Sequence, residues 1–544
     1  MMVVPDPDRL KKLFHTVRYL RWSQIAWRLW YRCYRPRRDT RVAPSLRELP
    51  GRWVEPVAKP VCMTGPADFR FLNEDGEVAS PDDWDRPAWG KLWRYNLHYF
   101  DDLNAENTSQ RGEWHRALID RWIAENPPGA GTGWEPYPTS LRIVNWVKWA
   151  LGGTALETTW VHSLAVQTRW LARKPEYHLL GNHLLANGKA LVFAGLFFDG
   201  PEAARWLRQG ERILGTELPE QVLPDGGHFE RSPMYHAIVF EDLLDLINLY
   251  RAAGRPVPDG WSDAARRMAA WLPVMCHPDG EIGFFNDAAF GIASPPARLY
   301  AYAERLGVPV QPVGKSVTAL ADSGYVRLVA DEVVCLADVA PVGPDYLPGH
   351  AHADTLSFEV SLFGYRVFVN SGTSVYGIGS ERERQRGTAA HNTVLVDGED
   401  SSEVWSGFRV ARRAYPFGID CGETHSGMWL SGAHDGYSRF GGDIVHRRYW
   451  QVGADCVQVR DRVTGAFDRA CARFHLHPAI ETEKVNGCTV RLRFGTASEA
   501  EFRVDRGSMH MESSTWHPRF GVVEETQCLV VELDGGESGC RLCW

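Results

Sequence analysis

The chain has 544 residues and a formal net charge of −8, with 44% hydrophobic and 24% charged residues. That length exceeds one ordinary core and implies roughly two or three domains, and the composition is that of a folded chain, not a disordered one. A net negative charge excludes general electrostatic attraction to nucleic acid but leaves room for a local basic groove along an anionic sugar chain.

Residues 1–12 carry acids and prolines where a signal peptide would carry a basic start and an apolar stretch, so a cytoplasmic location is expected, with the periplasm as the alternative. The longest apolar run, residues 190–198, falls far short of the ~18 residues that cross a bilayer. The segment 18–38 is rich in Arg, Trp and Tyr. It reads either as a peripheral, interfacial helix on anionic lipid or as a helix packed on the domain that follows. Eleven Cys are dispersed through the chain, which points to reduced thiols and not a disulfide framework. The 22 Trp and 18 Tyr are mostly core by expectation, with some left to line a sugar-binding cleft.

Apolar residues recur at three- and four-residue spacing over 113–126, 140–151, 160–173, 182–198, 203–217, 235–253 and 264–276, separated by Gly/Pro clusters such as Pro127-Pro128-Gly129 and Pro256-Val257-Pro258. Helices in such number with short loops imply stacked pairs, as a bundle, a solenoid or a closed toroid. Near residue 320 the pattern changes. The stretches 326–340, 356–370, 393–396, 444–463, 472–477, 488–494 and 528–532 alternate or cluster β-branched and aromatic residues between turn signals, as an antiparallel β-sandwich would. The expected division is a lead-in at 1–90, a helical domain at 91–318 and a β-domain at 319–544, with a cleft between the last two.

Four segments carry the chemistry. Trp134-Glu135-Pro136-Tyr137 leads into a helix with Ser140 as its expected N-cap and Arg142 three residues before Asn145. Gly181-Asn182-His183 and Gly227-His228-Phe229-Glu230-Arg231-Ser232-Pro233-Met234-Tyr235-His236 each place polar side chains at a helix mouth. Gly349-His350-Ala351-His352-Ala353-Asp354, with Asn370 and Ala390-His391-Asn392, gathers imidazoles and oxygen donors suited to a divalent metal and to proton transfer. Taken singly, Asn182 reads as a cap, Tyr235 as a core tyrosine and His236 as a buried neutral imidazole.

Taken together, the segments WEPYPTSLRIVNW, GNHLLANG, HFERSPMYH, GHAHADTLSFEV and RGTAAHNTVLVDG, in that order across about residues 90–500, resemble the heparinase II/III superfamily of polysaccharide lyases. The resemblance implies an N-terminal α/α toroid followed by a C-terminal antiparallel β-sandwich. It also implies β-elimination on a uronate-containing anionic polysaccharide, in which a donor neutralises the sugar carboxylate so that the neighbouring proton can leave. The matching positions are Asn182 for that donor, and Tyr235 and His350 for base and acid. Trp134, Glu135, Tyr137, Arg142, His183, Arg231 and His236 stand as substrate-binding candidates. The family's structural zinc maps to His352, Asn370 and His391. Asn370 stands where an Asp is expected, and its neutral amide makes Asp354 an alternative ligand; no organic cofactor is expected. Bacterial exopolysaccharide or capsule metabolism is the expected setting. The alternative is a glycan-binding or glycoside-hydrolysing protein, for which Glu135, Glu230 and Asp287 offer carboxylates without a spacing that singles out a pair. The sequence leaves the oligomeric state open.

Overall fold

A computed structural model of the chain describes residues 7–314, 316–495 and 498–544; residues 1–6, on which half of the leader reading rested, lie outside it. Two helices, α1 (Pro7–Val17) and α2 (Trp22–Cys33), come first, so the segment 18–38 is helical only over its middle. The helical half continues with α3 (Lys91–Leu97), α4 (Gly112–Glu125), α5 (Pro136–Leu151), α6 (Thr158–Arg173), α7 (Gly181–Phe197), α8 (Gly200–Gln221), α9 (Pro233–Ala252), α10 (Trp261–Val274) and α11 (Pro296–Arg305). No helix is long and apolar enough to cross a membrane among the described residues.

All seven sequence-derived helices are present. They form an α/α toroid in which α5, α7 and α9 pack side by side and α6, α8 and α10 pair with them from outside. The inner position of α7 follows from its sequence. It is apolar on most of its surface, its few polar groups such as Asn187 and Lys189 are paired inside the toroid, and every residue but His183 is buried. Its outer partner α8 instead keeps one apolar face, with Ala203, Trp206, Leu207, Ile213 and Leu214 buried. Glycine lets the pair close in: a Cβ at Gly195 would lie 2.6 Å from the Leu207 nitrogen. Charges tie the inner helices at their centre. Lys148 of α5 and Lys189 of α7 both reach Asp245 of α9, at 2.9 and 2.7 Å.

One boundary differs from expectation. Helix α5 starts at Pro136, with Glu135 as its N-cap residue, because proline fixes the backbone angle that opens a helix. Ser140 lies inside it, donating to the Pro136 carbonyl at 2.8 Å.

The second half is antiparallel. Five strands, Val317–Leu320, Tyr325–Ala330, Val333–Asp338, Phe358–Leu362 and Tyr365–Phe368, pair in sequence order. An eight-stranded sheet runs in the spatial order Pro416–Thr424, Gly427–His434, Val445–Val452, Cys456–Thr464, Glu537–Cys543, Ser498–Arg506, Thr489–Phe494, Glu481–Asn486. A four-stranded sheet contains Ser508–Trp516, Glu524–Glu532, Ala470–His475 and Val394–Val396. One core, including Phe358, Val394, Trp450, Phe474, Phe502 and Leu529, joins all three sheets into a sandwich. A short helix, α12 (Ser380–Arg386), sits within this half. Toroid and sandwich meet across a separate apolar cluster in which Trp271 and Val274 pack with Tyr325 and Leu336.

Candidate active site

Two helix N-termini of the toroid point toward this seam. Before α7, Leu180 and Gly181 both take positive φ, +67° and +60°. A Cβ at position 181 would sit 2.4 Å from the Leu347 side chain and 2.8 Å from a Glu230 carboxylate oxygen, so only glycine lets Asn182 start the helix against those groups. Before α9, Arg231 has φ +58°, Ser232 caps the helix by accepting from the Tyr235 N–H at 3.1 Å, and Pro233 opens it. Non-glycine residues held in this region store strain that tends to concentrate at functional sites. The result is that Tyr235 occupies the first turn of α9, facing the sandwich.

From the sandwich side comes His350. Its imidazole lies on the Tyr235 ring, with centroids 3.9 Å apart and planes inclined by 30°. The Tyr235 hydroxyl is 3.1 Å from that of Tyr376. Burial, and then the neighbouring Tyr376, push the Tyr235 phenol well above its ordinary value of 10, so it holds its proton.

Asp287 orients the histidine. It is fully buried and accepts from Nδ1–H of His350 and Nε2–H of His352, each at 2.8 Å, while Arg382 of α12 grips both its oxygens. Burial alone would raise this carboxyl, but the Arg382 charge and the two imidazole bonds outweigh it and hold the group well below the usual carboxylate range. An ionised Asp287 can only accept, so the His350 proton sits on Nδ1 and the Nε2 lone pair faces outward. There it lies 3.7 Å from Glu230. Glu230 is buried beside the Asn182 N–H, and burial raises it against the opposing charges of His350 and His183 and that backbone hydrogen bond.

The rim is aromatic. Tyr376 packs on Phe408 at 5.3 Å, both lie near His350, and Arg382 stacks over each of them. On the opposite side the half-buried Tyr137 ring lies 4.4 Å from that of His183. Burial lowers His183, but the charge and hydrogen bond of Glu176, 3.1 Å from Nδ1, prevail and raise it. Sequence motifs thus bring together Asn182, His183, Tyr137, Tyr235 and His350. In the sequence Asp287 and Glu230 stand only as carboxylates for hydrolysis; Tyr376, Arg382 and Phe408 carry no signal, because each enters through a tertiary contact.

Five expected substrate contacts are placed elsewhere. Arg142 is fully buried, stacked 3.8 Å from the Trp122 ring and donating to Gln167 at 2.9 Å and the His98 carbonyl at 3.1 Å. Trp134 is core, its Nε1–H donating to Asn126. His236 is buried flat against Trp271, its rings 4.2 Å apart, and bonds the Met268 carbonyl. Arg231 turns its guanidinium to the Ser323 carbonyl at 3.1 Å. Glu135 stays at the surface, paired with Lys91 at 3.0 Å and Tyr95.

The expected metal site changes one ligand. His352 Nδ1 and His391 Nε2 face each other at 3.2 Å, and with a carboxylate oxygen of Asp354 they lie within 4.8 Å of one another. Two buried imidazoles and a carboxylate fit a zinc-like ion, and the Asp287 bond to the far nitrogen of His352 is the kind of support that ligating histidines have. Asn370 does not join them: its oxygen accepts from the Asn392 N–H and its nitrogen donates to the Phe284 carbonyl.

An α/α toroid closed by antiparallel sheets, with a phenol and an imidazole stacked in the seam, is the architecture of a polysaccharide lyase. Residues 113–302 match the heparinase II/III N-terminus and residues 312–544 the heparinase II/III-like C-terminal region, and the chain belongs to that family. Among relatives, FtsZ-localized protein C of Caulobacter vibrioides is 28% identical over 432 residues, 73% of this chain and 71% of that protein. The heparin-sulfate lyase of Bacteroides stercoris is 26% identical over 256 residues, 42% of this chain, which thus spans only 38% of that enzyme. In fold, a heparinase III crystal structure superposes with a TM-score of 0.66 at 17% identity, covering 87% of this chain and 78% of the other. The heparan sulfate lyase HepC mutant from Pedobacter heparinus gives 0.62 at 17% identity, covering 96% and 87%.

Proposed function

We propose that the protein cleaves a uronate-containing anionic polysaccharide, of the exopolysaccharide or capsule class, by β-elimination in the cleft between toroid and sandwich. The observation that carries this reading is the stacked pair of Tyr235 and His350, with His350 fixed by Asp287 so that Nε2 is free. A sugar ring fits beside the Tyr376 and Phe408 rim, with its carboxylate toward Asn182 and the raised His183. Neutralising that carboxylate makes the adjacent carbon acidic enough to lose its proton.

The step then balances as follows. In the reverse of the order the resemblance implies, because burial keeps the Tyr235 phenol protonated, Nε2 of His350 takes the proton from the carbon bearing the carboxylate, and that electron pair forms a carbon–carbon double bond. The bond to the glycosidic oxygen breaks, and the Tyr235 phenol gives its proton to the departing oxygen. Glu230, 3.7 Å from Nε2, offsets the imidazolium charge, and the proton returns to the phenolate across the stacked pair. A zinc-like ion held by His352, Asp354 and His391 would serve as a fixed charge bracing the segment that carries His350.

Assaying acidic polysaccharides for the ultraviolet band of an unsaturated uronate tests this reading. Hydrolysis gives no such band, and Asp287, one of the carboxylates a hydrolase would use, is sealed behind Arg382 and the two imidazoles.

A further inference from the structure

Helices α1 and α2 rest one side on the body, α2 burying Gln24 and Tyr31 there, and turn an apolar stripe outward. On α1, Leu10, Leu13, Phe14 and Val17 stand three and four apart and are all exposed, Phe14 to 66%. On α2, Trp22, Leu29 and Trp30 are exposed, Trp22 to 85%. The opposite sides are fastened. The Thr16 hydroxyl oxygen accepts from the Trp405 indole N–H at 3.1 Å, the Gln24 amide donates to the Tyr346 carbonyl at 3.3 Å, and the Tyr31 hydroxyl donates to the Pro175 carbonyl at 2.5 Å. The stripe is therefore held in place on the folded body.

Charge identifies what covers it. Residues 1–41 hold eleven Arg and Lys against three Asp, within a chain of net charge −8. Arg28, Arg32, Arg37 and Arg38 are exposed and form no ion pair among the described residues. Arg28 moreover has a like-charged neighbour in Arg409, and burial together with that charge lowers it. Apolar side chains with interfacial Trp, ringed by unpaired Arg, match the two attractions of an anionic bilayer, apolar burial and headgroup charge. A second copy of the chain would set one basic face against another and be repelled.

We infer that this face docks the protein on an anionic lipid bilayer, with α1 and α2 lying in the plane of the interface. The docked orientation matters for the cleft. Helix α2 rests on Pro175, Tyr177 and His178, which lead into Asn182, and on Tyr346, which leads into His350. Docking through α2 thus holds one rim of the cleft beside the membrane.

Co-sedimentation of the purified full chain with vesicles of phosphatidylcholine, with and without a quarter of phosphatidylglycerol, tests this. Binding is expected to the anionic vesicles, and raising salt from about 0.05 M to about 0.5 M weakens it. The triple variant Phe14→Glu/Trp22→Glu/Leu29→Glu and, separately, Arg28→Glu/Arg32→Glu each lower binding by at least about tenfold while the melting temperature stays within a few degrees. Failure of the wild type to bind anionic vesicles, or equal binding by both variants, overturns the proposal. So does light scattering that shows a wild-type dimer which the triple variant converts to monomer, since the face would then be an interface between copies.

Discussion

The imidazole of His350 and the phenol of Tyr235 lie in contact, centroids 3.9 Å apart, although one belongs to the β-sandwich half and the other to the first turn of a toroid helix. In the proposed elimination the base and the acid thus come from the two halves of the chain and meet across their seam.

Removing either member should end turnover without unfolding the chain. Tyr235→Phe deletes one hydroxyl, which bonds the Tyr376 hydroxyl, and His350→Ala deletes a ring still open at the cleft. For each we expect a fall in kcat of about a thousandfold or more, with the circular dichroism spectrum and melting temperature near wild type. Activity within tenfold of wild type in either variant would remove that residue from the chemistry.

Asp287 fixes the tautomer of His350 and is, among the described residues, the sole carboxylate paired with the buried Arg382. Its pKa is depressed, so its stabilising effect is complete above the ordinary carboxylate value near 4 and fades as pH falls through its lower folded value. Asp287→Asn should therefore cost both kcat and melting temperature at neutral pH, and the difference in melting temperature from wild type should shrink toward pH 2. Equal melting temperatures at pH 7 would show that the Arg382 contact contributes nothing.

Glu230 separates a positioning effect from a structural one. Gln keeps the shape and an oxygen for the neighbouring Asn182 N–H, so Glu230→Gln should keep the fold. Losing the charge beside Nε2 should lower kcat by about tenfold to a hundredfold with KM little changed. A rise in KM at constant kcat would instead assign Glu230 to substrate binding.

The helices and the sandwich core were legible because their patterns are local. Helix α7 carries apolar residues around most of its circumference and Cys456–Thr464 alternates buried and more exposed positions, as inner helix and one-sided strand require. Strands such as Glu481–Asn486 and Pro416–Thr424 escaped, because their residues are polar or glycine-rich and mostly exposed, so no buried face marks the period. The site was half legible. Asn182, Tyr235 and His350 sit in motifs, whereas Tyr376 and Arg382 reach it only through the fold. Arg142, Trp134 and His236 were misread for the converse reason: a polar or aromatic group near a helix mouth looks the same in sequence whether it faces a cleft or, like Arg142 against Trp122, a core.

Away from the site, Glu217 offers a check on the buried charges. Burial raises its carboxyl to about 7 against the hydrogen bond from Gln221. A raised carboxyl gives its full stability below the unfolded value near 4.5 and loses it as pH climbs through 7. Glu217→Gln should thus raise the melting temperature at pH 8 and change it little at pH 5. The reverse order would contradict a buried, reluctantly ionised acid.

For the metal, elemental analysis of protein purified without chelator is expected to find about one zinc-like ion per chain, lost in a His352→Ala/His391→Ala variant together with part of the thermal stability. Metal content unchanged in that variant would place the ion elsewhere.

The most direct measurement follows ultraviolet absorbance while the wild type and Tyr235→Phe act on a panel of uronate-containing polysaccharides. A rising unsaturated-uronate band with at least one polymer, absent with the variant, is expected. Chain cleavage by the wild type without that band, seen as new reducing ends alone, would contradict elimination at the Tyr235–His350 pair.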